Sequence, residues 1–161
     1  MINKLHLAMI ELYSGAAERI QHFCKVHSYA KLIAETENVD KKCLFILEAA
    51  ALTHDIGIHL CEEKYGNCNG KLQEKEGPAI AGRLLGELGF EDDASKRVQY
   101  LIAHHHTYDN IDGTDYQILV EADFLVNIME NSLTKEAALN AYHHIFKTEC
   151  GKMICKRMFS L

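Results

Sequence analysis

The chain has 161 residues, of which 48% are hydrophobic and 25% charged, and its formal net charge is −6. These values are typical of a soluble globular domain, and the absence of a Lys/Arg cluster argues against binding to a nucleic-acid backbone. The N-terminal segment is too short and too interrupted for a secretion signal, and no stretch approaches the roughly 18 apolar residues of a membrane span. We therefore expect a cytoplasmic protein with reduced cysteines.

Helical periodicity dominates the chain from its start. Apolar residues recur at intervals of three and four, which predicts helices from Asn3 to Tyr13 and from Ala16 to Thr36. Asp40 can cap a third helix, Lys41 to Asp55, which is apolar over most of its surface and is expected to be the most buried. Residues Gly57 to Glu76 contain several glycines and asparagines and predict a long loop that can cover a pocket.

The second half of the chain continues in helices separated by short polar loops. Pro78 suits the first turn of one helix and Gly89 its end, while Thr134 suits the cap of the last long helix and Gly151 its end or a break. The predicted ranges are 78–88, 93–106, 116–131 and 135 onward. The prediction is an all-α single domain over residues 1–161, a bundle of six to eight helices on which residues 134–161 pack.

The segment AAALTHDIG, residues 49–57, carries the strongest local signal. An apolar helix ends there in the adjacent pair His54 and Asp55, and burying both groups is costly unless something compensates them. A divalent metal compensates both at once, since imidazole nitrogen and carboxylate oxygen suit Zn, Mn, Fe and Ni alike. The alternative is a helix end in which His54 caps free carbonyls and Asp55 is solvated.

Two histidines compete for a place on the apolar side of the second helix. His22 shares a stripe with Val26 and Ala30, whereas His27 falls nearly opposite at about 100° of rotation per residue. His22 is therefore the preferred metal ligand. The alternative for His22 is a core histidine satisfied by hydrogen bonds.

A lone acid, Asp123, lies among apolar neighbours in ILVEADFLVNI, residues 118–128. Glu121 precedes it but can turn to solvent. Charged residues are almost never fully buried unless they are paired. Asp123 therefore needs a cation, which is either a metal or one of the two candidate salt-bridge partners, Arg83 and Arg97.

Three consecutive histidines, His104, His105 and His106, end another apolar helix. Neighbouring side chains on a helix point in different directions, so at most two of the three can face one site. Imidazoles close to a carboxylate pocket suit a second metal or a phosphate. The alternative is an ordinary polar helix end.

In chain order these residues read His…His-Asp…His-His…Asp, each at a helix end or on a buried face. With this order and spacing, the sequence from Arg19 to Asn127 resembles the HD-domain superfamily of metal-dependent phosphohydrolases. The resemblance implies a helical bundle that holds one divalent metal, which can be Mn, Fe, Zn, Ni, Co or Mg. The implied ligands are His22, His54, Asp55 and Asp123. In relatives with two metals the matching second-metal ligands are His105 and His106, with Asp55 bridging.

The sequence departs from the family pattern at two positions. Relatives with two metals have one more histidine where this chain has Gly77, so a second site lacks a ligand unless Glu76 replaces it. Many relatives also carry a lysine that can meet a substrate phosphate, where this chain has Ile58. The metals or another basic residue must then meet the phosphate charge. The candidates are His59, Lys64, Lys71 and Arg19.

The function implied by the resemblance is hydrolysis of a phosphate ester, with a small phosphorylated substrate such as a nucleotide, no membrane partner, and an oligomeric state that is left open. The expected catalytic residues are Asp55, His105 and His106. Asp55 would orient or deprotonate a coordinated water, and the two histidines would bind a second metal or stabilise charge on the phosphoryl group. Two alternatives are a di-iron oxygenase of the same superfamily and a non-catalytic sensor of metal or nucleotide.

Overall fold

The computed structural model describes residues 1–161, which form nine α-helices and no strand. The helices are α1 (Ile2–Leu12), α2 (Ala17–Thr36), α3 (Lys41–Thr53), α4 (Ile58–Tyr65), α5 (Gly70–Glu87), α6 (Asp92–Ile102), α7 (Thr114–Glu130), α8 (Lys135–His144) and α9 (Glu149–Phe159). The all-α class is confirmed, with one helix more than the six to eight expected. One core of 36 buried hydrophobic residues takes members from every helix except α4.

Helix α3 lies at the centre of the bundle. Asp40 caps its N-terminus, since the carboxylate accepts hydrogen bonds from Lys42 N and Cys43 N at 2.9 and 3.0 Å. Ala49–Leu52 is fully buried, and α1, α2, α6 and α7 all pack on this helix. Its C-terminal end therefore opens into the interior of the bundle and not onto the surface.

The segment Lys41–Tyr65, which includes α3 and α4, is apolar enough by length and composition to cross a membrane, with a mean hydropathy of 1.4. This differs from the expectation that no stretch of the chain approaches the length of a membrane span. In the fold, 61% of its most apolar stretch is buried, and a turn after Thr53 divides it into two helices. The apolar composition is explained by the central position of α3 in the core.

Residues 57–76, predicted to form a loop, instead contain α4 and the first two turns of α5. Gly66 ends α4 with a φ of 70°, a left-handed conformation that glycine adopts without strain. Asn69 caps α5 by accepting a hydrogen bond from Leu72 N at 3.1 Å. The glycines and asparagines thus mark helix ends. Pro78, predicted in a first turn, lies in the interior of α5.

The last predicted helix is divided into α8 and α9. Thr134 caps α8 as predicted, but Gly151 lies in the first turn of α9 and does not end a helix. A Cβ atom at Gly151 would overlap Glu121 Oε2, so glycine makes room for that carboxylate. The expectation that Glu121 turns to solvent is wrong. Glu121 is fully buried and accepts a hydrogen bond from Thr148 N at 2.9 Å, at the start of α9.

Candidate metal centre

Four side chains from three parts of the bundle meet near the end of α3, and we call them the first donor group: His22, His54, Asp55 and Asp123. His22 Nε2 lies 3.2 Å from His54 Nε2, 3.2 Å from Asp123 Oδ1 and 3.5 Å from Asp55 Oδ2. His54 Nε2 lies 3.5 Å from each of the same two carboxylate oxygens. The structure therefore brings together the residues that the sequence predicted to share one ion.

Hydrogen bonds on the outer side of each ring orient the two imidazoles. His54 Nδ1 donates to Ala51 O at 3.0 Å, which turns its Nε2 towards the cluster. His22 Nδ1 contacts Glu130 Oε2 at 2.8 Å, and the carboxylate can only accept. Metal-ligating histidines are held in this way, with the other ring nitrogen donating to a carbonyl or carboxylate.

The first donor group is largely buried and holds charges of both signs. Burial acts to raise the pKa of Asp123, which is 3% exposed, but hydrogen bonds from His22 and His54 hold that pKa well below its usual range. Burial acts to lower the pKa of His22, but the hydrogen bond to Asp123 and the charge of Asp55 raise it to about 9. Asn127 Nδ2 adds a hydrogen bond to Asp123 Oδ1 at 2.8 Å. Without metal, protonated His22 balances part of the carboxylate charge.

A second donor group, Asp55, His105 and His106, adjoins the first and shares one residue with it. Its ligand atoms lie within 4.8 Å of one another, and His105 Nε2 is 3.6 Å from Asp55 Oδ1. The two oxygens of Asp55 therefore face different groups, as a bridging carboxylate would. Burial and then the neighbouring His105 lower the pKa of His106 to about 4, so its ring is neutral at pH 7. His104 turns away and donates to a carbonyl of its own helix.

Two alternatives that the sequence left open are a metal-ligating His27 and an arginine partner for Asp123, and in both cases the residues concerned lie elsewhere. His27 Nε2 contacts Glu48 Oε1 at 3.0 Å and lies outside both donor groups. Arg97 binds Asp115 at 2.7 Å, and Arg83 lines a different cavity. Neither arginine is the cation that Asp123 was expected to need.

Two of the four basic residues considered for a substrate phosphate are paired with acids away from the cavity described below. Lys64 pairs with Glu76 at 3.1 Å, and Lys71 pairs with Glu74 at 2.7 Å. Because Glu76 is held by Lys64, the expectation that it replaces the missing second-metal ligand is not supported. Arg19, in contrast, lines a cavity of about 200 Å³ together with two residues of the first donor group.

Two residues of α5 that the sequence analysis did not single out contact the histidine pair. Gln73 Oε1 lies 3.2 Å from His105 Nε2 and 2.9 Å from His106 Nε2. Glu74 is buried and accepts a hydrogen bond from His106 N at 3.0 Å. Both were missed because their segment was predicted to be a loop. In a helix, a spacing of three and four residues from Gly77 would have placed both near one face.

The HD-domain family model matches residues 19–147, which is well over half of the chain. The chain belongs to the HD-domain family. A solved structure with a similar fold is that of a predicted HD superfamily hydrolase from an uncultured Thermotogales bacterium, with 25% identity, a TM-score of 0.67, and coverage of 99% of this chain and 83% of that one. A comparison with curated proteins found no significant match. The predicted resemblance is confirmed, and with it membership of a superfamily of metal-dependent hydrolases.

The geometry of this HD domain fits a divalent transition metal. Four donors placed tetrahedrally around an ion at about 2.0–2.2 Å are separated from one another by about 3.3–3.6 Å. The imidazole nitrogens of the first donor group lie 3.2–3.5 Å from the other donors. Two imidazoles and two carboxylates are a donor set suited to Zn, Mn, Fe, Co or Ni. The predicted ligand roles of the individual residues remain predictions.

Proposed function

We propose that this HD domain hydrolyses a small phosphate ester, with nucleotides as the preferred substrate class, by means of a divalent metal in the first donor group. The observation that carries the proposal is that two residues of this group line a cavity that Arg19 also lines. A purely structural ion would be closed off from solvent, whereas the side chain of Asp55 is 23% exposed. When bound, the ion would supply Lewis acidity and a water acidified towards neutral pH.

Asp55 is the donor best placed to act on the attacking water. Burial acts to raise its pKa, but the facing imidazoles His54 and His105 outweigh burial and lower the pKa to about 2. The carboxylate is therefore ionised at neutral pH and would accept a hydrogen bond from the attacking water, which would fix the direction of attack. We propose that His105 and His106 hold the Oδ1 atom of Asp55 on the side of the phosphoryl group.

Arg19 is proposed to meet the charge of the substrate phosphate in place of the lysine that is absent at Ile58. Its guanidinium now pairs with Glu62 at 2.5 Å and lies 3.3 Å from His59 Nδ1. It also lies over the ring of Tyr13, 5.8 Å from the centroid. The salt bridge is on the surface and contributes little stability, so a phosphate can replace Glu62 and accept two parallel hydrogen bonds.

The size of the cavity indicates how a substrate would bind. At about 200 Å³ the cavity is smaller than the roughly 300–1,000 Å³ that encloses a whole small ligand. We propose that the phosphate enters and that the leaving group remains at the rim, where the partly exposed Ile58 offers apolar surface. The terminal phosphate of a nucleotide fits this arrangement better than a phosphodiester within a chain.

Metal analysis of the purified protein, combined with a panel of phosphomonoesters and phosphodiesters, tests the proposal. His54→Ala and Asp123→Ala should each lose metal and turnover while helix content by circular dichroism is retained, and His143→Ala, at an exposed histidine, should keep both. Metal-loaded protein that leaves the whole panel intact would contradict the proposal. Nucleotide binding without turnover would favour a sensor, and a spectroscopic di-iron signal would favour an oxygenase.

A further inference from the structure

Helix α5 lies against the end of α6 at two glycines. A Cβ atom at Gly70 would lie 2.7 Å from the ring of His106, and one at Gly77 would lie 2.8 Å from Ile102 Cγ2. Real Cβ contacts of this length do not occur without a shift of one neighbour. A side chain at position 77, at which the family resemblance implies a histidine, would therefore displace the buried side chain of Ile102. A donor from α5 must come from another turn of the helix.

Gln73 lies one turn before Gly77 and reaches the same histidine pair. Its Oε1 is 3.2 Å from His105 Nε2 and 2.9 Å from His106 Nε2, close to the donor separations of 3.2–3.5 Å in the first donor group. The next residue, Glu74, fixes this register because its carboxylate accepts from His106 N at 3.0 Å.

The atoms that converge at this point are of the types that bind divalent cations. His105 Nδ1 donates to Ile102 O at 2.7 Å, as the outer nitrogen of a metal-bound histidine does, and its Nε2 faces Gln73 Oε1. Asp55 Oδ1 approaches the same nitrogen at 3.6 Å. An imidazole nitrogen, an amide oxygen and a carboxylate oxygen at these separations can share one cation.

We propose that Gln73 is the fourth donor of a second cation position, which it forms with the second donor group in place of the imidazole absent at Gly77. The proposal rests on the proposed function in one respect, that the two positions share Asp55. A neutral amide oxygen is a harder donor than imidazole, so this position should favour Mn²⁺ or Mg²⁺ over Zn²⁺ more than a site with three imidazoles would.

The experiment counts ions on the full chain. Metal-free wild type, Gln73→Ala, Gln73→His and Gln99→Ala are dialysed against Mn²⁺ or Zn²⁺, and bound metal per chain is measured by mass spectrometry, with circular dichroism to verify folding. Gln99 is a matched control, because its amide bonds only to Ser95 within α6. We expect two Mn²⁺ in wild type and Gln99→Ala, and one in Gln73→Ala. Gln73→His should bind two ions and hold the second Zn²⁺ at least about tenfold more tightly than wild type does.

The number of ions bound per chain distinguishes a failure of this proposal from a failure of the proposed function on which it rests. Equal Mn²⁺ counts in wild type and Gln73→Ala would overturn it. One ion in wild type and two in Gln73→Ala would also overturn it, because the amide NH₂ group would then face the imidazoles and block the position. Should Gln73→Ala not fold, an unchanged Zn²⁺ affinity in Gln73→His would decide against the proposal. Wild type that binds no metal would contradict the proposed function itself.

Discussion

Replacing Glu130 by glutamine tests whether the first donor group depends on the carboxylate behind it. Glu130 Oε2 lies 2.8 Å from His22 Nδ1, and Glu130 Oε1 pairs with Lys25 Nζ at 2.9 Å. Glutamine keeps the length of the side chain and a carbonyl acceptor. Glutamine lacks the negative charge of glutamate. That charge raises the basicity of His22 as a metal ligand and stabilises its ring in the ligating orientation.

The expected loss of metal affinity in Glu130→Gln follows from the geometry of the contact between Glu130 and His22. Removal of such a partner costs about 10- to 100-fold in metal affinity, which corresponds to about 1.4–2.7 kcal/mol. The Glu130 side chain is 27% exposed, so solvent screening places the effect near the lower limit, at about tenfold. Lys25→Met is the matched control. It removes the other partner of Glu130 but leaves the contact to His22, and an exposed ion pair of this kind should change the affinity less than about threefold.

Competition with a chromophoric chelator measures both affinities on the metal-free protein. Glu130→Gln should need about tenfold more free metal for half-saturation than wild type, and its circular dichroism spectrum should be unchanged. Unaltered affinity in Glu130→Gln would show that His22 is not a ligand or that its partner is irrelevant. An equal loss in Lys25→Met would attribute the effect to general surface charge.

Three further outcomes are expected. Arg19→Met should lower kcat/KM for a phosphoester about 10- to 100-fold through the loss of a charged hydrogen bond, with metal content unchanged by mass spectrometry. Glu121→Ala leaves Thr148 N and Lys147 N without their acceptor, which should cost at least about 2 kcal/mol and lower Tm by roughly 4–8 °C in calorimetry. The folded-state pKa of His22 is about 9 against an ordinary 6.5, so its stabilisation of metal-free protein is complete below pH 6.5 and is lost as pH rises through 9. Tm should fall over this interval, and a flat profile would contradict it.

The part of the site that could be predicted consists of polar residues that interrupt apolar helical stripes. His22 and Asp123 were found in this way, because a buried polar group needs a partner and no sequence neighbour supplies one. The Gln73–Glu74 pair could not be found by the same reasoning. Glycine and asparagine between residues 57 and 76 indicated a loop, whereas α5 is kept helical by its close packing on α6 at Gly70 and Gly77. Packing of this kind overrides local propensity and leaves no trace in hydrophobic periodicity.

Two buried acids on α7 show why burial alone does not identify a metal ligand. Glu121 and Asp123 are only two residues apart and both are buried. The partners of Glu121 are backbone and side-chain donors, including Thr148 N and Gln117 Nε2, so its charge is already met by hydrogen bonds. Asp123 instead faces the Nε2 atoms of His22 and His54 at 3.2 and 3.5 Å, and these groups can share a metal ion with it. Only the second carboxylate lies among metal-ligand side chains, and this difference becomes visible only when the partners from α2, α3 and α9 are in place.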